Sequence, residues 1–322
     1  MPSISLIMPC YNRAHDLVRT LEAYDRQADS PDFELIAVDD DSDDATYKVL
    51  SRYTPARYAL RVERLDGNRG PAAARNRGIE LAQAPLILFV GDDIRPDENL
   101  VRGHLAAHRR YKSEPEAVLG RVRWPQDLPV NTLMEHIDGL GAQQFSYRFM
   151  QDGAEYDYRH FYTANISLKT GFLKSQPRWF DTDFRFAAYE DAELAYRLSG
   201  KGLRIHYAAP LVGYHYHYHN IWTFSERQRR SGQMAGVLLE KHPRLRISPS
   251  FRYHYRRVLN LFRIPFIIRK PPSEAARWVE EVALRLASSY EWKPDVQLDR
   301  LYLAVLGYFY HDGFITSLFR NP

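Results

Sequence analysis

Short continuous apolar runs alternate, through the first third of the chain, with stretches whose apolar residues recur at helical spacing. Residues 3–8 (SISLIM), 34–38 (ELIAV) and 86–90 (LILFV) predict buried strands. Residues 15–28 place Leu17, Val18, Leu21 and Tyr24 on one helical face, and residues 44–53 also read as a helix. Residues 58–64 read as extended. Pro71 suits a first helical position leading into AAARNRGIELAQA, and Pro96 is expected to open a helix running to about Tyr111. This βαβαβ rhythm predicts an α/β fold with a mostly parallel sheet and helices on both faces.

The pattern is less regular over 118–168, which is rich in aromatic residues and ends in a strand-like ANISL at 164–168. Residues 190–198 (EDAELAYRL) read as a helix with acids in its first turn, where the positive end of the helix dipole favours them. A short strand is expected at 203–207, followed by alternating Tyr and His through His219. From Trp222 onward the pattern is helical, with breaks expected at Pro243 and near Lys270–Pro272. Residues 274–290 and 297–310 read as amphipathic helices.

Composition narrows the class. The 322 residues include 45% hydrophobic and 26% charged positions, as in a folded globular chain large enough for a sizeable core. The single Cys10 excludes a disulfide framework and any cysteine-based zinc site. The apolar runs fall short of the roughly 20 residues a membrane span needs, and the N-terminus lacks the basic and apolar segments of a signal peptide. A cytoplasmic location is therefore expected. The net charge of +4 is unevenly placed: residues 224–270 carry twelve Lys/Arg against two Glu. Phe251, Tyr253, Tyr255, Phe262 and Phe266 interleave with that basic block, which suits an anionic membrane surface at the inner face of the cell membrane. A solvated helical face is the plainer reading of the same charges.

Polar clusters follow the apolar strands, where ligands sit in open α/β sheets. Asp39 and Asp40 can accept hydrogen bonds from a base N–H or a ribose hydroxyl, and Arg75 and Asn76 are placed to reach the same nucleotide. Asp92 and Asp93 repel each other unless a cation or donor intervenes, and a divalent metal bridging to a diphosphate is the natural relief. On an extended segment His215, His217 and His219 share one side. One of them, His215 first and His217 next, is the candidate to join Asp93. Glu190 and Asp191 either cap a helix or supply a carboxylate base. Dinucleotide-binding, P-loop and G-x-S-x-G fingerprints are missing from the sequence.

Taken in order, these segments resemble inverting glycosyltransferase family 2, whose fold is GT-A: a Rossmann-like, mostly parallel sheet with flanking helices. SLIMPCYNRAHDLVRTLEA resembles the family's first strand, Pro-x-Tyr-Asn turn and helix. AVDDDSDDAT resembles its V-D-D-G-S-x-D-x-T loop, with Asp41 where Gly is usual. NRGPAAARNRGI, ILFVGDDIRPDENL and the FDTDFRFAAYEDAELAYRLSGKGLRIHY block resemble its later motifs, over roughly residues 3–242. Gly91 stands at the first position of the D-x-D triplet.

The resemblance implies a GT-A domain over 1–221, with a nucleotide-binding half at about 1–115 and an acceptor half at about 116–221. A helical, basic and aromatic region would follow at 222–322. It further implies that Pro9, Tyr11, Arg13, Asp39, Asp40 and Arg75 hold the nucleoside, and that Asp92 contacts ribose or the metal's waters. Asp93 and His215, with His217 as the other candidate, would hold manganese or magnesium. Asn165 would lie near the donor sugar, Asp191 would deprotonate the acceptor, and Glu190 would orient acceptor or sugar. The donor would be a nucleotide-diphosphate sugar, and the acceptor a hydroxyl on a bacterial surface glycan or lipid-linked glycan, with no nucleic acid partner. The alternatives are a nucleotidyltransferase or sugar-nucleotide hydrolase on a similar sheet, and a non-catalytic glycan-binding protein.

Overall fold

The computed structural model describes residues 1–29, 32–139, 143–245, 281, 284–289 and 299–318. Two compact units emerge. The first comprises Met1–Leu128 and Phe149–His217, and the second comprises Pro129–Arg148 with the described part of 218–322. Residues 129–148, which a sequence boundary at 221/222 leaves in the first domain, cluster with the second unit.

The first unit is built on one mixed sheet. The fully buried runs of β1 (Ile4–Cys10), β2 (Phe33–Asp39) and β4 (Leu86–Val90) form its parallel centre, as continuous apolar strands covered on both faces do. β3 (Ala59–Arg64) is the more exposed edge, and Arg61, Glu63 and Arg64 blunt it. Among the described residues the strand order is β3-β2-β1-β4, then β8 (Asn165–Lys169), β6 (Glu116–Arg123), β9 (Arg204–His215) and β5 (Ile94–Pro96), with β7 (Glu155–Tyr156) pairing beside β9. β8 (Asn165–Lys169) runs antiparallel to both β4 and β6 (Glu116–Arg123), whereas β6 and β9 (Arg204–His215) are parallel. Helices α1 (Leu17–Asp25), α2 (Thr46–Arg52) and α3 (Pro71–Leu81) connect the parallel strands. This is the expected α/β class, with the parallel half on the N-terminal side.

Three expectations need correction. Pro96 does not start a helix. It ends a three-residue edge strand, β5 (Ile94–Pro96), where a missing N–H is tolerated, and α4 (Leu100–Arg110) begins after Asn99. The irregular 118–168 stretch contains β6, whose apolar run is short and whose partners are far along the chain, so local pattern does not reveal it. Val18, assigned to the buried face of α1, is exposed, and α1 is shorter than its sequence pattern. The remaining helices of this unit are α6 (Thr170–Lys174) and α7 (Glu190–Ser199).

The second unit packs α5 (Thr132–Asp138), α8 (Ile221–Lys241) and α9 (Asp299–Leu318). Asn131 caps α5 by accepting from the Met134 N–H at 2.8 Å, and its amide donates to the His219 carbonyl at 2.9 Å. His219 is buried against Phe224 here. α8 ends just before Pro243, as its pattern requires, and α9 is described over Asp299–Leu318, past the end expected at 310. Of the expected 274–290 helix, 281 and 284–288 are described and helical, and the part of the basic 224–270 block beyond residue 245 lies outside the described residues. Among the described residues no helix is long and apolar enough to cross a membrane.

α8 and α9 approach closely because glycines face the contact. A Cβ on Gly232 would fall 1.8 Å from the Tyr310 carbonyl oxygen, and one on Gly313 would fall 1.8 Å from that of Arg229. The pair is fastened by Arg229, which donates to Asp312 at 2.9 Å and lies over the Phe309 ring at 4.5 Å. Gly232→Ala gains helix propensity, but the backbone clash must force the helices apart. A net loss of about 1–3 kcal/mol is expected, the usual cost of overpacking, read as a lowered midpoint in thermal unfolding followed by circular dichroism.

Candidate functional site

The carboxyl ends of β1, β2 and β4 lie side by side, so the loops that follow them meet. After β1, Asn12 takes a left-handed backbone (φ 53°), and its N–H donates to Ser42 Oγ at 3.0 Å. The Arg13 N–H donates to Thr46 Oγ1 at 2.7 Å, and the Asp43 N–H returns to Asn12 Oδ1 at 2.9 Å. Asp41 also has positive φ (56°), which accounts for the glycine usual there; Asp is among the few residues that tolerate it.

Within this loop pair Asp39 is fully buried and accepts from Ser42 Oγ at 2.5 Å, with Arg64 3.5 Å away. Asp40 accepts from the backbone N–H groups of Arg69 and Gly70, both at 2.8 Å, ahead of α3. Burial nevertheless leaves its pKa raised. Gly70 is itself required: its φ is 85°, and a Cβ would lie 2.7 Å from the Arg185 carbonyl oxygen. Pro9 lies within β1, paired to Val38, and Tyr11 is exposed at the strand end.

The Asp92–Asp93 pair follows β4 in a tight turn closed by Ile94 N–H to the Gly91 carbonyl at 3.2 Å. β5 then pairs Ile94 with His215, and the Tyr216 N–H donates to the Asp93 carbonyl at 2.9 Å. These bonds carry His215 and His217 to Asp93. His215 Nε2 lies 3.4 Å and His217 Nδ1 3.3 Å from Asp93 Oδ2. Potential ligand atoms of the three residues all lie within 4.8 Å of one another. One carboxylate with two imidazoles fits a divalent ion of the first transition row, the imidazoles favouring manganese over magnesium.

Charge is balanced locally in this group. Arg13 donates through Nη2 to Asp93 Oδ2 at 2.8 Å, and its Nε lies 3.4 Å from Asp92 Oδ1. Burial alone would raise the Asp93 pKa, but His215, His217 and Arg13 together hold it well below the carboxylate range. Asp92 receives the Tyr11 N–H at 3.2 Å; burial, with Asp93 beside it, pushes its pKa up to about 7. A Cβ at Gly91, where the triplet's first acid is missing, would lie 2.9 Å from Asp93 Oδ1, so a side chain there would have to shift the Asp93 carboxylate.

Glu190 and Asp191 begin α7 immediately after Tyr189, whose φ of 67° turns the chain sharply. Glu190 is buried and paired to Arg75 Nη1 at 2.8 Å, while its Oε2 has no hydrogen-bond partner. Asp191 accepts from the Ala192 N–H at 2.7 Å and from the Thr163 backbone. Burial, then the neighbouring Glu190, pushes its pKa up to about 7. Thr163 lies two residues before β8, which begins at Asn165, opposite Val90 at the end of β4. Asp191 therefore lies at the same edge of the sheet as Asp92 and Asp93.

Two predicted residues are placed differently from their expected companions. Arg13 lies with the Asp92–Asp93 group rather than with Asp39 and Asp40, and Arg75 lies with Glu190. Asn165 is fully buried. Its amide donates to the carbonyls of Leu211 (2.9 Å) and Arg121 (3.2 Å), and its Oδ1 lies 2.9 Å from His104 Nε2. Asn76 clamps Phe180, donating to its carbonyl at 2.8 Å. Trp124, absent from the sequence assignments, stacks on His215 with centroids 5.0 Å apart and an interplanar angle of 12°. Only its position at the end of a strand hidden from local pattern would have disclosed it.

A Rossmann-like sheet with paired acids at its parallel strand ends defines an α/β class whose ligands sit at the carboxyl ends of those strands. Residues 5–171 match the family profile described as glycosyl transferase family 2, and the chain belongs to that family. It is 30% identical over 238 residues to validoxylamine A glucosyltransferase of Streptomyces hygroscopicus subsp. limoneus, covering 63% of this chain and 49% of that one. The chain thus spans about half the length of that relative. It is 26% identical over 231 residues to the amylovoran biosynthesis glycosyltransferase AmsB of Erwinia amylovora, covering 66% of this chain and 69% of that one. Among solved structures, the mannosyltransferase PcManGT of Pyrobaculum calidifontis, in complex with GDP-Man and Mn2+, shares the fold. Its TM-score is 0.62 at 18% identity, over 100% of this chain and 88% of that one.

The buried Arg75–Glu190 pair makes one clear stability demand. Arg75→Met would leave Glu190 as an uncompensated buried charge, and a loss of about 3–5 kcal/mol is expected in urea unfolding at neutral pH. Arg75→Met, Glu190→Gln should recover much of it.

Proposed function

We propose that this protein is an inverting glycosyltransferase that moves a sugar from a nucleotide-diphosphate sugar to an acceptor hydroxyl. The observation that carries this reading is the gathering of Asp93, His215, His217 and the Glu190–Asp191 helix start at the ends of parallel strands, in a chain of this family. The family relatives support glycosyl transfer, and the GDP-Man and Mn2+ of the mannosyltransferase support a nucleotide-sugar donor with a divalent ion. The amylovoran biosynthesis relative supports a glycan acceptor, and a growing or lipid-linked glycan at the inner face of the cell membrane is part of the same proposal.

Asp39, Asp40 and Asp92, with Pro9 and Tyr11, line the nucleotide side in this reading, while Arg75 serves through Glu190. Asp93 with His215 and His217 would hold manganese or magnesium. A divalent ion there supplies Lewis-acid neutralisation of the diphosphate leaving group. Asp191 takes the acceptor hydroxyl proton as the oxygen attacks the anomeric carbon from the face opposite the diphosphate. The bond from that carbon to the phosphate oxygen breaks, and the centre is inverted through an oxocarbenium-like state of the kind seen in glycoside hydrolysis. A base whose pKa is about 7 is well matched to that task near neutral pH. Glu190, anchored by Arg75, orients acceptor or sugar through its unpaired Oε2. Asn165 then serves the donor-sugar side indirectly, by bracing β6 and β9 through the Arg121 and Leu211 carbonyls.

Asp191→Asn should lower transfer by about 10²–10⁴-fold while leaving nucleotide affinity nearly unchanged. Because Asp191 acts deprotonated, wild-type turnover should rise with pH and level off above about 7. Turnover by Asp191→Asn at the wild-type rate would remove Asp191 as the base. Thermal unfolding with a panel of nucleoside diphosphates, with and without Mn2+, should show one nucleotide raising the midpoint, and more so with the metal. A midpoint unmoved by every nucleotide would count against a nucleotide-sugar donor.

A further inference from the structure

We propose that Arg13 is the resident counter-ion of the Asp93–His215–His217 group, and that a divalent cation enters only by displacing its guanidinium. This rests on the metal reading of those three residues given above. The geometry is specific. Arg13 Nη2 lies 2.8 Å from Asp93 Oδ2 and 2.8 Å from His217 Nδ1, so one guanidinium nitrogen bridges a carboxylate oxygen and an imidazole nitrogen. Guanidinium nitrogens only donate, so in this contact His217 Nδ1, which also lies 3.3 Å from Asp93 Oδ2, is taken as the acceptor. That is the unprotonated state, aimed as a metal ligand must be. The lone pair cannot serve both cations, and neither can the Oδ2 lone pair that accepts from Nη2.

The arrangement is built in. The Arg13 backbone is pinned by its N–H to Thr46 Oγ1 at 2.7 Å, following the left-handed Asn12. Arg13 has little exposed surface of its own. Its Nε faces Asp92 Oδ1 at 3.4 Å, so a guanidinium leaving Asp93 still has an anionic neighbour on the same turn. A planar guanidinium also matches phosphate oxygens, so an arriving diphosphate offers the displaced fork a second partner. Metal and nucleoside diphosphate should then favour one another partly through Arg13, beyond any direct contact between them.

The test is Mn2+ binding to the full chain without nucleotide, read from the free-Mn2+ signal in electron paramagnetic resonance. Arg13→Gln should bind Mn2+ on the order of tenfold more tightly than wild type. Asp93→Asn in that background should abolish the gain. The increase in Mn2+ affinity on adding the nucleoside diphosphate should be smaller in Arg13→Gln than in wild type. Equal or weaker Mn2+ affinity in a cooperatively melting Arg13→Gln protein would overturn the proposal and leave the metal reading intact. No binding to either protein would overturn both. A measurement on wild type avoids any folding defect of the variant: with 15N-arginine labelling, Zn2+ should shift the Arg13 Nε–H resonance, identified by its loss in Arg13→Lys. Zn2+ that perturbs the His215 ring signals but leaves Arg13 unmoved would overturn the proposal.

Discussion

Like charges crowded at the ends of apolar strands are the constraint on which the first unit depends. Asp39, Asp40, Asp92, Asp93, Glu190 and Asp191 all gather where water is scarce, and each needs its own compensation. Asp39 is met by a serine hydroxyl and Arg64, and Asp40 by two backbone N–H groups ahead of a helix. Asp93 is met by Arg13 and two imidazoles, and Glu190 by Arg75. Asp92 and Asp191 are the least compensated, and both have pKa values pushed up to about 7. The proposed transfer, which binds a diphosphate with a cation and then moves a proton, would need this graded set rather than uniform neutralisation.

Strand register does the assembling. Ile94 opposite His215 and Val90 opposite Asn165 bring segments more than seventy residues apart to the end of β4. A one-residue slip in β9 would turn His215 to the other face and bring Tyr214 or Tyr216 toward Asp93. The small edge strand β5 therefore matters far more than its length suggests. Trp124, stacked on His215, and Asn165, spanning two carbonyls, hold that register from behind.

Much of this was legible in the residues. The three buried strands, the helices after them and the acidic clusters at their ends follow from local apolar pattern and turn chemistry. The order of motifs indicated the family that the profile match then established. Asp41 in place of glycine illustrates a departure that local physics absorbs, because Asp tolerates the positive φ the turn imposes. The misplacements have a common cause. Pro96 looks like a helix start because proline favours that position, but an edge strand accepts it equally well. β6 and the full length of β9 owe their existence to non-local pairing. Arg13, which the family resemblance assigns to the nucleotide, has its side chain drawn to the concentration of negative charge at Asp92 and Asp93.

Composition and periodicity by themselves determined the α/β class, the positions of the central strands and the kinds of chemistry available, because burial and turn formation are local properties of the chain. Which carboxylate meets which cation was decided only by tertiary structure. Ion pairing and imidazole approach depend on distances of a few ångströms between residues far apart in sequence. Those distances are set by sheet register, which local pattern does not contain.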